Sequence, residues 1–553
     1  MMGCATPSAG PVSVADRIYV GDVVTVNVDG DVAGAVAVND GRILEVGSEA
    51  AVMQHRGTET EVVQLGEAAL LPGFIDPHSH FVLHGIPFSG FANLSRPPVG
   101  TIESIPEIIA ELKVLAARRD VKPGEWLIAY GYEKEALIEE REVTAADLDE
   151  HFPDNPVVMI HVSSHGAVLN SAAFAAVGIN AETETPEGGL IVRIEGTTEP
   201  AGLIMEAPFF ALMGAMPAGN PEQTLAAMHP TQLHYAANGY TTIQDGATSG
   251  EGVALLQRAA AEGLLFLDVV SLPIMQVMPD LLKDPNTKWG GDYIGRLKLG
   301  GVKFVTDGSP QGRTAFWTEP MLVKGPGGEE NWRGQPIVPQ EMLNELFAMA
   351  YDNGIQTYTH SNADAAIDMF LAAHEAAGAP QGRRPVVIHS QFIRPEQLDA
   401  YVKIGAVPSF FTNHAFFWGD VHLANLGAER ADFLSPLRSA IDRGLRFTNH
   451  SDYGVTPLDP IFMLWTATTR TSRSGRTMGA AERVTALEAL RGITIDAAYQ
   501  YFEEDTKGSI EAGKLADFVI LDGNPLTTAP EDLRSLSIRE TIKEGVTVWM
   551  AED

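Results

Sequence analysis

The chain has 553 residues and a formal net charge of −34, with 45% hydrophobic and 20% charged residues. That length exceeds one simple core, so two or more domains, or one large barrel with additions, are expected. The negative field repels phosphate backbones and anionic membranes, which argues against nucleic-acid and membrane partners. The single cysteine, Cys4, cannot form an intrachain disulfide, so nothing marks an oxidising compartment. No apolar run is long enough to span a bilayer and no signal peptide precedes Cys4, so the expected location is cytoplasmic.

In chain order, a small-residue tail (1–10) leads into short strands over 11–68, with turns at Asp29-Gly30 and Asp40-Gly41. The last segment, 506–553, has the same character, so the two chain ends are expected to form one small composite β-sandwich. Between them, 69–95 carries the first strand of a central domain, 96–230 an inserted lobe, and 231–505 the remainder. Apolar β-rich runs alternate there with helical stretches. They are Ala69–His80, Tyr240–Gly246, Leu265–Ser271, Gly301–Gly308, Ile355–His360, Val386–Ser390, Ala406–Phe411 and Arg446–Asp452. This pattern predicts an α/β fold, a TIM-like (β/α)8 barrel. The long interval after the first run exceeds what a crossover needs, which implies a lobe over the barrel mouth.

Polar residues gather at the C-terminal ends of these runs, where barrels of this type carry their chemistry. They are His78 and His80, Lys303 and Asp307, His360, His389, and His450 with Asp452. His78 and His80 share one side of an extended strand. Converging imidazoles and a carboxylate are costly to bury unless paired or bound to a metal. Four histidines, a carboxylate and a lysine suit one or two divalent ions, Zn²⁺ above all. An ammonium beside cations is repelled. Lys303 is therefore neutral, converted by CO₂ to a bridging carbamate, or turned away to pair with Asp307.

Further candidates surround this set. His165 in the lobe and His414 after the seventh run are placed to reach a small-molecule substrate. His450 is placed to bond substrate or Asp452, and Arg313 to bind a substrate oxygen or pair with an acid. Trp317, Phe417 and Trp418, with Phe316, Phe410, Phe411 and Phe416, either favour an apolar or aromatic substrate or pack the lobe on the barrel. Glu206 lies in a lobe segment, His84 reads as a neighbour of the site, and His161 reads as a satisfied core histidine.

The motifs "PGFIDPHSH", "VVIHS", "HSD" and "GSIEAGKLADFVILDGNPL", with His360, resemble the amidohydrolase superfamily of metal-dependent hydrolases. "PGEWLIAYGY", "HGAVLNSAAFAAVGI", "GGLIVR", "AGLIMEA" and "VKFVTDGSPQGRTAF" resemble its YtcJ-like branch, amidohydrolase family 3, which includes N-substituted formamide deformylases. The resemblance implies His78 and His80 on a first metal, carbamylated Lys303 as bridge, and His360 and His389 on a second. It implies that Asp452 touches the first metal and handles protons. His450 stands where many members have glycine. The implied activity is cleavage of an amide, N-formyl or carbamate C–N bond by a metal-activated hydroxide. The implied assembly, by analogy with relatives, is a homodimer. A deaminase, lyase or isomerase on the same barrel, and a non-catalytic interaction protein retaining the fold, are the alternatives.

Overall fold

The structure is a computed structural model that describes residues 13–84, 90–216 and 220–552; the tail with Cys4 and the His84 side chain lie outside the described residues. The central domain contains two parallel sheets. One orders Phe74–Ile75, Tyr240–Thr248, Asp268–Pro273 and Leu297–Leu299; the other orders Val302–Val305, Thr357–Ser361, Val386–His389, Val407–Phe410 and Thr448–Asn449. The strand order follows the chain, as expected of consecutive βα units. The fourth run is longer than expected and broken. Leu297–Leu299 pairs with the third strand (Val269↔Leu297), and Val302–Val305 rejoins its edge at the Ile274↔Lys303 bridge. The break is Gly300-Gly301, where an added Cβ would lie 2.4 Å from Val270 Cγ1 or from the Gln356 carbonyl.

The first run divides differently from the expectation. Residues up to Pro72 end the long strand Arg56–Pro72, which pairs antiparallel with Phe518–Leu521. Only Phe74–Ile75 joins the parallel sheet, through Tyr240↔Phe74. Gly73 makes the handover, its missing Cβ leaving room for Thr241 Cγ2, which would stand 2.4 Å away. The two chain ends, expected to form one small composite β-sandwich, contribute their strands to one seven-stranded sheet. Alternate side chains there serve different faces: Tyr19, Val23 and Val36 pack with Phe518, whereas Ile18, Val20 and Ala35 pack with Val52.

Between the first and second strands lies a six-stranded sheet, ordered Gly189–Arg193, Pro200–Glu206, Gly166–Leu169, Val157–His161, Leu127–Tyr132 and Ala92–Asn93. Helix Ile105–Arg119 covers it. Its Ile105, Ile108, Ile109, Leu112 and Leu115 recur at helical spacing and are all buried. Asp120 ends the helix in the left-handed region (φ 51°). The lobe is tied to the central domain by Trp418 Nε1, which donates to Glu133 Oε2 at 2.7 Å, and by Gln335 Nε2, which donates to the Gly189 carbonyl at 3.0 Å.

Beneath the parallel strands lies a buried ionic node. Asp268 Oδ2 stands 2.7 Å from both Lys507 Nζ and Lys543 Nζ, and Lys543 also reaches Asp517 at 2.7 Å. Burial alone would raise the Asp268 carboxyl, but the two ammonium groups outweigh it and hold it well below the usual range. Asp268→Asn is therefore expected to cost about 3–5 kcal/mol, because two buried cations lose a partner. A depressed folded pKa stabilises above the unfolded value near ~4 and is lost as pH falls through the folded one. Denaturant melts should show the gap between parent and variant narrowing below about pH 4.

Candidate metal centre

Second-strand residues fix the two histidines that follow Phe74–Ile75. His78 Nδ1 lies 2.6 Å from Gln244 Oε1, and the Gln244 amide nitrogen is committed to the Pro77 carbonyl (2.6 Å) and Tyr501 Oη (2.7 Å). Oε1 is thus the acceptor and His78 Nδ1 carries the proton. His80 Nδ1 likewise donates to the Gly246 carbonyl at 2.7 Å. Both rings then turn Nε2 lone pairs inward, toward Asp452 Oδ1 at 3.4 and 3.3 Å. Burial, with help from Lys303, holds His78 well below its usual pKa, so it is neutral.

Burial pushes the Asp452 carboxyl up, and positive charge on His78, His80 and His389, or on a cation held among them, pulls it well below the ordinary range. Among the described residues, Asp452 Oδ1 has no hydrogen-bond partner. Acceptor atoms facing one another across a little over 3 Å in a buried site repel unless a cation lies between them. The donor set of imidazole nitrogens and a carboxylate is the one borderline divalent ions prefer. His78, His389 and Asp452 each offer a ligand atom within 4.8 Å of the others, and all three are buried.

The remaining expected residues join the same cluster. Lys303 Nζ lies 3.2 Å from His78 Nε2, and burial pushes its amine down to about 7. Its alternative pairing with Asp307 is not formed. That carboxylate instead accepts the backbone amides of Asn362 (2.9 Å), Phe316 and Ala363 (3.0 Å each). His389 Nε2 meets His360 Nδ1 at 3.0 Å, and His389 Nδ1 meets His450 Nε2 at 3.0 Å. His450 Nδ1 ends the chain on Ser409 Oγ at 3.1 Å. His450 thus braces His389 and lies beside His78, with ring centroids 5.2 Å apart. His389 (φ 74°) and Asp452 (φ 50°) both hold left-handed backbone, and such strain concentrates at functional positions.

The outer candidates divide. His165 lies over His360, ring centroids 4.9 Å apart, and its Nδ1 meets Glu206 Oε2 at 2.8 Å. His414 lies coplanar with His422 (interplanar angle 2°), bonds it edge to edge at 3.0 Å and packs against Phe411. Phe411 in turn faces His450 at 4.9 Å, so it is the seventh-strand ring nearest the cluster. Trp418 reaches only as far as His414, and Phe417 packs on Phe416 and Phe462. Trp317 is buried against Phe392, and Arg313 pairs with Glu135 at 3.4 Å. These last rings and the guanidinium are engaged in packing and ion pairing. His161 is the satisfied core histidine that was expected, its Nδ1 2.7 Å from Ser163 Oγ.

The sequence reading missed Gln244, Gly246 and Phe210. Gln244 lies in the wholly buried part of strand Tyr240–Thr248, where an amide side chain needs partners. Gly246 has no room for a Cβ, which would stand 2.7 Å from His78 Cε1. Phe210 is an exposed lobe ring edge-on to His165 at 5.8 Å, and nothing local distinguishes it in the sequence.

Parallel strands that deliver a His-x-His pair, single histidines, a lysine and an aspartate to one buried point define a hydrolase of the metal-dependent α/β class. The amidohydrolase family model matches residues 61–549, and the chain belongs to that family. Membership makes it a hydrolase acting on carbon–nitrogen bonds other than peptide bonds. It is 29% identical over 552 residues to the N-substituted formamide deformylase of Arthrobacter pascens, covering 95% of this chain and 96% of that one. It is 27% identical to YtcJ of Bacillus subtilis (strain 168), covering 96% and 98%. Among solved structures, an uncharacterized metal-dependent hydrolase from Pyrococcus horikoshii OT3 superposes with a TM-score of 0.73 at 19% identity, over 93% of this chain and 99% of that one. Its counterpart from Pyrococcus furiosus gives 0.70 at 20% identity, over 92% and 100%. Those two show a shared fold. No helix among the described residues is long and apolar enough to cross a membrane.

Proposed function

We propose that the chain hydrolyses the C–N bond of a small N-formyl, N-acyl or carbamate compound with an apolar or aromatic substituent, using one or two Zn²⁺ ions. The observation that carries this reading is the inward convergence of His78 Nε2 and His80 Nε2 on the buried Asp452 Oδ1, at 3.4 and 3.3 Å. His78, His80 and Asp452 would hold one ion, His360 and His389 a second, and Lys303 as carbamate would bridge them. The two parallel sheets are read as halves of one barrel, broken at Gly300-Gly301. A divalent cation bound there supplies Lewis acidity toward a carbonyl and lowers the pKa of bound water toward neutrality.

The chain's own groups do the rest. Asp452, ionised and aimed into the cluster, accepts the proton of the attacking water. Gln244 and the Gly246 carbonyl fix the tautomers of His78 and His80, and partners of this kind set ligand basicity and orientation. His450 and Ser409 do the same for His389. Phe411 and Phe210 present apolar faces near the cluster, which favours an apolar substituent over a charged one. The similarity to the formamide deformylase supports a formyl or other small acyl group. The working form is read as cytoplasmic and homodimeric.

A screen of N-formyl, N-acyl and carbamate compounds on metal-loaded protein in ¹⁸O-water tests the reading. One labelled oxygen in the acid product is expected. Turnover that leaves product unlabelled would point to a lyase or isomerase instead. A second expectation concerns Gly246→Ala. Its Cβ would push on His78 Cε1 and the Ser79 carbonyl, so metal affinity is expected to fall about 10–100-fold, as read by metal-per-chain titration, with overpacking costing the metal-free protein about 1–3 kcal/mol.

A further inference from the structure

Glu206 holds a backbone conformation (φ 60°, ψ −121°) that ordinarily only glycine adopts without strain. It is nonetheless a glutamate, 2% exposed, at the junction of strand Pro200–Glu206 and the helix that follows. One carboxylate oxygen meets His165 Nδ1 at 2.8 Å; the other is buried and has no hydrogen-bond partner among the described residues. The Glu206 amide also donates to the His165 carbonyl at 2.8 Å, so side chain and backbone clamp the same residue. The carboxylate leans on Gly308, just past the fourth run, where any Cβ would stand 2.0 Å from Oε1. Gly308 therefore admits a lobe carboxylate to the central domain. A strained backbone, an acceptor partner on Nδ1 and a cleared approach all serve one result: Nδ1–H is tied to Glu206, and Nε2 is the end of the ring left for proton transfer.

That ring lies over His360, in the outer part of the cluster. The His165 side chain is 12% exposed, against 6% for His360 and 1% for His78. The His80 side chain is 14% exposed, so His80 and His165 are the more open imidazoles of the cluster, and an amine leaving on the lobe side passes His165.

We infer that His165, held as an imidazolium with its Nδ1–H on the Glu206 carboxylate, is a catalytic residue that hands the Nε2 proton to the departing nitrogen, and that Glu206 is the positioning residue that aims it. The inference rests on the C–N hydrolase reading above. In the step, the water oxygen bonds to the carbonyl carbon and its proton goes to Asp452. The C–N bond breaks, its electron pair stays on nitrogen, and nitrogen takes the proton from His165 Nε2. Solvent water then reprotonates His165 as Asp452 releases its proton, so amide plus water gives acid plus amine.

The test compares two formamides on metal-loaded protein: an N-alkylformamide, whose amine leaves poorly, and N-formyl-4-nitroaniline, whose amine leaves easily. His165→Gln and Glu206→Gln are each expected to lower kcat on the alkyl substrate about 100-fold or more. They should change it less than about threefold on the nitroanilide, since a good leaving group needs no acid. Metal per chain should match the parent. Glu206→Gly, which suits the backbone, should lose activity on the alkyl substrate without a lower thermal midpoint. Equal losses on both substrates, or none, would overturn the inference, as would Glu206→Gly melting well below the parent with its activity intact. If the parent turns over neither formamide, nor any amide or carbamate, the hydrolase reading itself fails, which is a different outcome from a parent that is active and insensitive to His165.

Discussion

Asp452→Asn is expected to reduce kcat by about 10²–10⁴-fold, the span associated with loss of a positioned proton acceptor. The amide keeps the size of the carboxylate and one oxygen aimed at His78 and His80, so metal per chain should fall little. It cannot take a proton from water. The native group faces three imidazoles, at 3.4 Å (His78), 3.3 Å (His80) and 4.0 Å (His389), and positive charge on them or on a cation they hold keeps it ionised despite its burial. Steady-state kinetics with parallel metal analysis check this. A variant that keeps its metal and its kcat would remove Asp452 from the proton pathway.

Lys303 has the second large expected effect. Its amine is wholly enclosed, and burial pushes it down to about 7, so a sizeable share is neutral and nucleophilic at neutral pH. A neutral amine adds CO₂; an ammonium does not. Metal-free protein reloaded with zinc in CO₂-free buffer is therefore expected to recover little activity, and bicarbonate should restore it. Lys303→Ala should bind about half the parent's metal and lose activity about 100-fold or more. Small carboxylates such as acetate or propionate should return part of it by occupying the space of the carbamate. Full recovery of the parent without CO₂ would show that Lys303 acts as a plain amine.

The site was more legible than the sheets around it. Histidines and an aspartate at the ends of apolar runs announce themselves, because an imidazole closing a buried strand needs a partner. Lys303 could be assigned to the cluster because its strand and neighbours are of the same kind. Sheet membership was harder. Residues Ala69–Pro72 and Phe74–Ile75 form one apolar run in sequence, yet Gly73 sends the two halves into different sheets. An apolar run signals burial without saying against what.

The fourth strand shows the same limit. Leu297–Leu299 is too short to stand out, and the Gly300-Gly301 break reads as a turn until Val270 and Gln356 are seen pressing on it. Aromatic rings misled for a related reason. Phe411, Phe417 and Trp317 are equivalent in composition, and only tertiary packing puts Phe411 beside His450 and Trp317 beside Phe392. Glu206 stood out only through its branch-like segment "AGLIMEA", since its strained backbone and its hold on His165 exist only in the folded chain.

The most direct test is metal analysis of the purified chain, followed by chelation and reloading. The expected result is one to two equivalents of a divalent ion per chain, loss of formamide or amide hydrolysis when it is stripped, and return of that activity with zinc. Less than about half an equivalent, with no gain on adding zinc or manganese, would contradict a metal centre built on His78, His80 and Asp452.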